Sequence, residues 1–192
     1  SGGVTIGENL TLAGYTIDFL STLNSEGGET NDLSYTGKTR FIGVVGAVDI
    51  LDVVNANSDT SFVMAAFTAN DFNVNSTAVL AGTGDITNRV DAATGSRITP
   101  GTSPGILSTG NLTLTTGVDF DIEVGGTTAG TNFDQVDVTG TVTLGSARLN
   151  TSGGYAASVG DNQIIINNDG ADVVSGTFAG KPEGILLDIG AY

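Results

Sequence analysis

The sequence predicts an all-β protein, because glycine, β-branched residues and alternating polarity recur along its whole length. Glycine accounts for 29 of the 192 residues, whereas Lys and Arg together number 6. No window carries apolar residues at the i, i+3, i+4, i+7 spacing of an amphipathic helix over three turns. Short apolar-polar alternations are separated instead by Gly, Asn and Asp, which tolerate the conformations of sharp corners. The pattern is typical of short strands joined by tight turns.

The clearest strand is predicted at residues 118–124, where apolar and acidic residues alternate. The apolar positions expected to face a core are Val118, Phe120, Ile122 and Val124. The acidic positions expected to face water are Asp119, Asp121 and Glu123. Successive side chains of a strand point to opposite sides, so this alternation predicts one wet and one buried face. Similar patterns predict strands within residues 10–19, 136–149, 164–166, 173–178 and 185–189.

Two architectures satisfy this pattern. The gaps between strands are too short for crossover helices, which excludes a doubly wound α/β fold. One possibility is a parallel β-solenoid, in which successive coils of chain stack on one another, and the alternative is a β-sandwich or jelly roll. A loose repeat of roughly 20–25 residues predicts about eight or nine coils and a rod about 40 Å long. In either case we expect residues 1–192 to form a single domain, as part of a longer exported protein or as a fibre subunit.

The charge of the chain limits its partners. Asp and Glu number 21 against 6 Lys and Arg, so the formal net charge is −15. Such a surface repels phosphate backbones and anionic membranes, which excludes nucleic acid as a partner. No apolar run approaches the roughly 18 residues of a membrane-spanning helix. An acidic chain rich in Thr, Asn and Gly suits an extracellular location, and the absence of Cys means that it holds together without disulfides.

Catalysis is not expected. The chain has no His and no Cys, which excludes a Ser-His-Asp triad, cysteine nucleophiles and His- or thiolate-bound zinc. Glycoside hydrolysis needs only two carboxylates, for which Asp119 with Asp121 and Asp134 with Asp137 are the available pairs. Sugar clefts usually carry aromatic platforms, however, and the chain has no Trp and 4 Tyr. We therefore predict that the protein is not an enzyme.

Calcium is the best candidate for a bound ion, because it prefers carboxylate and carbonyl oxygens in turns. The candidate ligands are Asp134, Asp137, Asp161, Asp169 and Asp172. No segment matches an EF-hand loop or a calcium-binding nonapeptide repeat. Asn and Asp in turns commonly serve the backbone instead, so the expectation is no cofactor, with calcium as the alternative.

The motif around residues 98–114 resembles a known family. It reads Ile-Thr-Pro-Gly-Thr-Ser-Pro-Gly-Ile-Leu-Ser-Thr-Gly-Asn-Leu-Thr-Leu and is similar to a segment of bacterial autotransporter-type passenger proteins with autotransporter-associated β-strand repeats. Residues 133–140, Phe-Asp-Gln-Val-Asp-Val-Thr-Gly, and residues 175–184 resemble later units of that family. The resemblance covers roughly residues 78–190 well and residues 37–47 more weakly. It implies a right-handed parallel β-helix on a bacterial cell surface and carries no catalytic residues.

The Pro-Gly pairs of this motif are expected to be structural. Pro100 and Pro104 fix their own φ, while Gly101 and Gly105 allow the chain to turn between them. We expect this segment to form a rigid corner of a coil and to bind nothing.

The two termini favour self-association. Residues 4–6 and 185–189 are strand-like, and neither terminus carries an evident polar cap. An open-ended solenoid exposes unpaired backbone groups, so the ends either continue in a longer chain or pair with neighbours by strand addition into a head-to-tail fibre.

Together these observations predict a non-catalytic extracellular structural or adhesive surface protein, with other copies and a host or matrix surface as expected partners. The alternative is a carbohydrate-binding or carbohydrate-cleaving β-helix. Its candidate aromatic platforms are Tyr15, Tyr35, Tyr155 and Tyr192. A third hypothesis is a sandwich-type pilus or surface-layer subunit that exchanges strands.

Overall fold

The computed structural model describes residues 3–29, 31–185 and 187. This part of the chain contains 18 strands and no helix, and therefore no helix that could span a bilayer. The strands are β1 (Val4–Ile6), β2 (Leu10–Phe19), β3 (Leu23–Ser25), β4 (Leu33–Phe41), β5 (Leu51–Ala56), β6 (Asp59–Val63), β7 (Ala66–Phe67), β8 (Ala69–Val74), β9 (Ala78–Gly82), β10 (Asp85–Ala92), β11 (Arg97–Pro100), β12 (Ile106–Leu114), β13 (Asp119–Glu123), β14 (Gln135–Val138), β15 (Val142–Thr143), β16 (Arg148–Ser152), β17 (Ile166–Asn168) and β18 (Val174–Ser175). The predicted all-β class is confirmed.

The strands stack in parallel, one coil of chain upon the next. Every pairing between two of these strands is parallel. One column of paired residues runs through eight levels: Leu10, Leu33, Val54, Phe72, Val90, Leu112, Val142 and Val174. The parallel solenoid is thus confirmed. The sandwich alternative is wrong, because the described residues form no pair of facing antiparallel layers.

Each coil presents three faces, which we name A, B and C in chain order. The column above belongs to face B. Face A contains the column Val4, Leu23, Val45, Phe67, Ile86, Thr109, Val138 and Asn168. Face C contains the column Ile17, Thr39, Ser61, Leu80, Ile98, Phe120 and Leu149. The seven steps between the eight levels of face B make a rod of about 34 Å at the usual strand spacing.

The coils lengthen toward the C-terminal end at a single corner. Successive residues of the face B column lie 23, 21, 18, 18, 22, 30 and 32 positions apart. The increase is concentrated where the chain leaves face C for face A of the next coil, the C–A corner. In the early coils two or three residues cross it, as between Phe19 and Leu23, whereas loops 101–105, 124–134 and 153–165 cross it later. The strand pairing stays in register because the extra residues form loops outside the paired strands.

The core is rich in aromatic side chains in the early coils and mostly aliphatic in the later ones, where Phe120 and Phe133 are also buried. Phe41 lies with its ring centroid 5.0 Å from that of Phe19 and 4.9 Å from that of Phe67, and Phe67 lies 5.1 Å from Phe72. The later coils bury residues such as Leu112 and other aliphatic side chains of the same columns. Burial of these columns supplies the main driving force for stacking.

Candidate functional site

A groove of about 600 Å³ lies on the outward side of face C, beside the C–A corner. Its floor includes outward-facing side chains of successive coils: Phe62, Val79, Arg97, Thr99 and Asp121. They point outward because their neighbours in the same strands, such as Leu80 and Ile98, are fully buried. The volume falls in the range of small-molecule and cofactor sites.

Loop 101–105 borders this groove. Gly101 and Gly82 exchange two backbone hydrogen bonds, of 2.7 and 3.0 Å, at the start of the loop. Ser103 has a φ of +81°, a left-handed conformation that costs a non-glycine residue about 1–3 kcal/mol. Its hydroxyl donates a hydrogen bond to the Glu123 carboxylate on the adjacent coil. The segment predicted to be a rigid corner is therefore also a wall of the groove.

Asp134, in the following coil, fixes the position of loop 101–105 through hydrogen bonds. Its side chain is buried, and its two carboxylate oxygens accept hydrogen bonds from the backbone amides of Gly105 at 2.9 Å and Glu123 at 2.8 Å. Desolvation raises the pKa of the Asp134 carboxyl, although these two amide hydrogen bonds act in the opposite direction. This predicted calcium ligand thus has both oxygens directed at backbone amides, one in loop 101–105 and one at the end of β13.

The other calcium candidates occupy separate positions. Asp137 accepts a hydrogen bond from Asn167 on face A, while Asp161 accepts from the Tyr155 hydroxyl at 2.6 Å. The Asp169 carboxylate accepts from the amide of the nearby Ala171, and Asp172 offers its main-chain carbonyl to Asn168. Across the described ranges, no three acidic side chains lie close enough together to hold a metal ion. The structure does not gather the predicted ligands into one site.

The two predicted carboxylate pairs lie in different surroundings. Asp119 and Asp121 share face C with two arginines: Arg97 Nη1 lies 2.8 Å from Asp121, and Arg148 Nε lies 2.6 Å from Asp119. The hydrogen bond from Arg148 lowers the pKa of Asp119, which favours its ionised form. The second pair divides between the buried Asp134 and the outer surface of face A.

None of the described tyrosines lines the groove. Tyr15 is wholly exposed in the first coil, and Tyr35 is buried with its hydroxyl 2.8 Å from Ser61. Tyr155 donates to Asp161, whose pKa is lowered by that hydrogen bond, and Tyr192 lies outside the described residues.

The aromatic ring of the groove belongs to Phe62, with Lys38 Nζ 5.2 Å from its centroid. Sequence analysis missed this residue. An apolar Phe62 next to a polar Ser61 suggests that Phe62 faces the core, whereas the structure buries Ser61 and turns Phe62 outward.

Comparison of the chain with protein-family models, with curated proteins and with solved structures gives no match. The resemblance to autotransporter-type passengers therefore remains an expectation based on the motifs. The fold itself rests on the strand pairing described above.

Proposed function

We propose that this protein is a non-catalytic extracellular scaffold of the bacterial cell surface that stacks end to end into filaments. The observation that carries the proposal is the open edge at each end of a continuous parallel ladder. Within the described residues, β1 and β2 have strand partners on one side only, as do β16, β17 and β18 at the other end. Unpaired N–H and C=O groups along such edges are templates for strand addition.

The distribution of apolar surface supports contacts at the ends. Large hydrophobic side chains are exposed in the first coils at Val4, Tyr15, Leu20, Ile42, Val44, Val48 and Met64, and near the other end at Val159, Ile164, Val173, Val174, Ile185 and Leu187. The stretch 65–158, which is described throughout, exposes none. Clustered exposed apolar surface marks interaction sites in soluble proteins. Of the predicted terminal strand at 185–189, only Ile185 and Leu187 are described.

The charge, the composition and the passenger-like motifs support the proposed location and adhesive role. A net charge of −15 keeps separated chains soluble in an aqueous exterior. A rod with three long faces offers a large surface on which to meet a host or matrix, and no turnover is required for that role. Adhesion is therefore the expected use of the assembled filament.

The test compares the wild type with a variant whose free edge is blocked. Val4 donates its amide to Thr22 and Ile6 accepts from Glu26, so the intervening Thr5 directs its amide away from the stack. Thr5→Pro removes that free donor without breaking a native ladder bond. We expect light scattering and electron microscopy to show concentration-dependent filaments for the wild type and mostly single rods for Thr5→Pro.

Two measurements make the result decisive. The circular dichroism and melting temperature of Thr5→Pro should match those of the wild type, and Thr5→Lys provides a second blocked edge if proline perturbs the coil. A wild type that stays monomeric at all concentrations, without filaments, would overturn the proposal.

A further inference from the structure

The face C groove runs along the rod and across its strands. Its lining comes from β6, β9, β11, β13 and β16, which are five neighbouring strands. Four strand spacings correspond to about 19 Å. A ligand that fills this groove is therefore elongated and lies parallel to the rod axis.

The floor offers side chains rather than backbone groups to such a ligand. Each of β6, β9, β11 and β13 pairs with a strand on both sides, so their backbone hydrogen-bonding groups are engaged in the ladders. An extended peptide carries an amide and a carbonyl in every residue, and strand addition requires a free edge to satisfy them. The side face of this solenoid provides no such edge, which disfavours a peptide.

The lining combines an apolar strip with hydrogen-bonding groups. Phe62 and Val79 provide half-buried apolar surface, and Thr99 adds a hydroxyl to the same groove lining. Arg97 is held between Asp119 and Asp121, with its side chain 48% exposed, so its orientation is fixed while part of it still faces the groove. A sugar ring presents an apolar C–H face together with hydroxyls that both donate and accept. Rings such as Phe62, with charged groups beside them, match both properties.

Charge decides the class of sugar. Asp121 and Glu123 outnumber Arg97 in the groove lining, and the whole chain carries −15. An anionic glycan would be repelled by this field. A neutral glycan meets no such penalty.

The border of the groove is held in place before any ligand arrives. Ser103 keeps its left-handed backbone while bonded to Glu123, and Asp134 holds the end of the same loop through Gly105. Strained residues held in place by their surroundings cluster at ligand-binding sites, and a preorganised border lowers the entropic cost of binding.

From these observations we propose that the face C groove binds a segment of neutral oligosaccharide along the rod axis. Phe62, whose ring has Lys38 Nζ 5.2 Å from its centroid, packs its remaining exposed surface against a sugar ring, and Arg97, Thr99 and Asp121 bind hydroxyls. The groove lies on a side face, so it stays open when rods stack end to end. The site is therefore independent of the filament proposal.

The experiment titrates the isotope-labelled protein with neutral hexasaccharides and follows its amide NMR signals. The probes are hexamers of β-1,4-glucose, β-1,4-xylose, β-1,4-mannose, α-1,4-glucose and β-1,4-N-acetylglucosamine. An oligogalacturonate hexamer and an uncharged hexapeptide of alternating serine and glycine serve as anionic and peptide comparisons. We expect saturable shifts in the lining strands with at least one neutral hexamer, and weaker or no binding of the two comparisons.

Two matched arginine variants locate the site. Arg97→Gln removes a groove guanidinium that pairs with Asp119 and Asp121 on face C, and Arg89→Gln removes one that pairs with Asp71 and Asp91 on face B. The two side chains are similarly exposed, at 48% and 45%. We expect Arg97→Gln to weaken binding about tenfold or more, as for loss of a charged hydrogen bond, and Arg89→Gln to leave it unchanged.

Any of four results would overturn the proposal: no saturable binding of any neutral hexamer, tighter binding of the oligogalacturonate, binding of the serine-glycine peptide with the same shifts, or equal effects of the two variants. Matching melting temperatures of both variants exclude misfolding as the cause of a difference. If Arg97→Gln proves unstable, Phe62→Ala replaces it, with the same tenfold expectation and the same four contrary results.

Discussion

The buried carboxylate of Asp134 links parts of the chain that are far apart in sequence. The hydrogen bonds that it accepts from two backbone amides join Gly105, 29 residues earlier, to Glu123, 11 residues earlier. Neither a neutral amide nor a hydrocarbon can replace it, because both amides need an acceptor. Asp137, three residues later, makes a contact of a different kind, since it accepts from an exposed Asn167 on the surface.

Asp134→Asn should therefore destabilise the protein far more than Asp137→Asn. An asparagine offers one acceptor oxygen, so one buried backbone amide loses its partner, at a cost of about 1–3 kcal/mol. Because Asp137 is only partly buried and its partner Asn167 is exposed, Asp137→Asn should cost at most about 0.5 kcal/mol. Denaturant unfolding of both variants measures the difference, and equal free energies of unfolding would contradict the role assigned to Asp134.

The carboxyl groups of Asp134 and Asp119 should titrate on opposite sides of the ordinary aspartate pKa of about 3.9. Desolvation raises the pKa of Asp134, and the hydrogen bond from Arg148 lowers that of Asp119. As pH falls from neutral, Asp134 binds its proton more readily in the folded than in the unfolded chain, so its contribution to the free energy of unfolding increases. Asp119 stabilises the fold above its unfolded pKa, and that contribution is lost as pH falls through its lower folded pKa.

Carbon NMR of the side-chain carboxyls resolves the two midpoints. Arg148→Gln should raise the midpoint of Asp119 and leave that of Asp134 in place. Coincident midpoints in the wild type would argue against both environments.

Among the strands, the bends between faces make the strictest demands on residue type. β4 turns from face B to face C at Gly37, which has a φ of +96°. A β-carbon at this position would lie 1.6 Å from the carbonyl oxygen of Gly14, in the coil below. Such close passage of one coil over another leaves no room for a side chain.

Gly37→Ala should thus be costly even for a glycine substitution. The left-handed backbone alone costs alanine about 1–2 kcal/mol, and overpacking adds about 1–3 kcal/mol. Gly28 is the matched control, because it has a φ of +83° but a β-carbon added there would meet no atom within 4 Å. Gly28→Ala should show the backbone cost alone, and thermal or denaturant unfolding that fails to separate the two variants would contradict the crowding at this bend.

Strand content and the inward or outward phase of many residues were predictable from local alternation. The pattern at Phe120 and Ile122 predicts two residues that are buried in β13. The groove was not predictable in the same way, because Phe62 and Asp121 are 59 positions apart and meet only through the stacking of four coils. Which residues pair between successive coils could not be predicted from the loose repeat, because loops of different lengths cross the C–A corner. The aromatic cluster around Phe41 was missed for the same reason.

The described part of the rod has unpaired strand edges at both ends, and its negative charge opposes contact between the ends of two rods. At −15 per chain, stacking brings two strongly acidic bodies together. The repulsion acts over about 10 Å at 0.1 M salt and about 3 Å at 1 M. If rods stack as proposed, their association at the ends should therefore depend on the ionic strength of the surroundings.

Filament formation should increase with NaCl between low and high ionic strength. Light scattering across a salt series measures this, with Thr5→Pro as the control that stays unassembled at every salt concentration. Fibre diffraction from aligned filaments should place a reflection of about 4.8 Å along the filament axis, because the strands lie across it. Filaments that dissolve as salt rises would indicate that ion pairs, rather than strand addition, hold the rods together.

The concentration of extra chain at one corner has a consequence for how such a rod can change. Loops 124–134 and 153–165 leave and rejoin the stack without altering the register of β13 with β16 or of β14 with β17. Residues inserted at the C–A corner would therefore extend the surface loops, while the strand spacing and the core of the solenoid stay the same. New peptides can accumulate along one ridge of the molecule, so that variation in what the surface displays is uncoupled from the architecture that carries it.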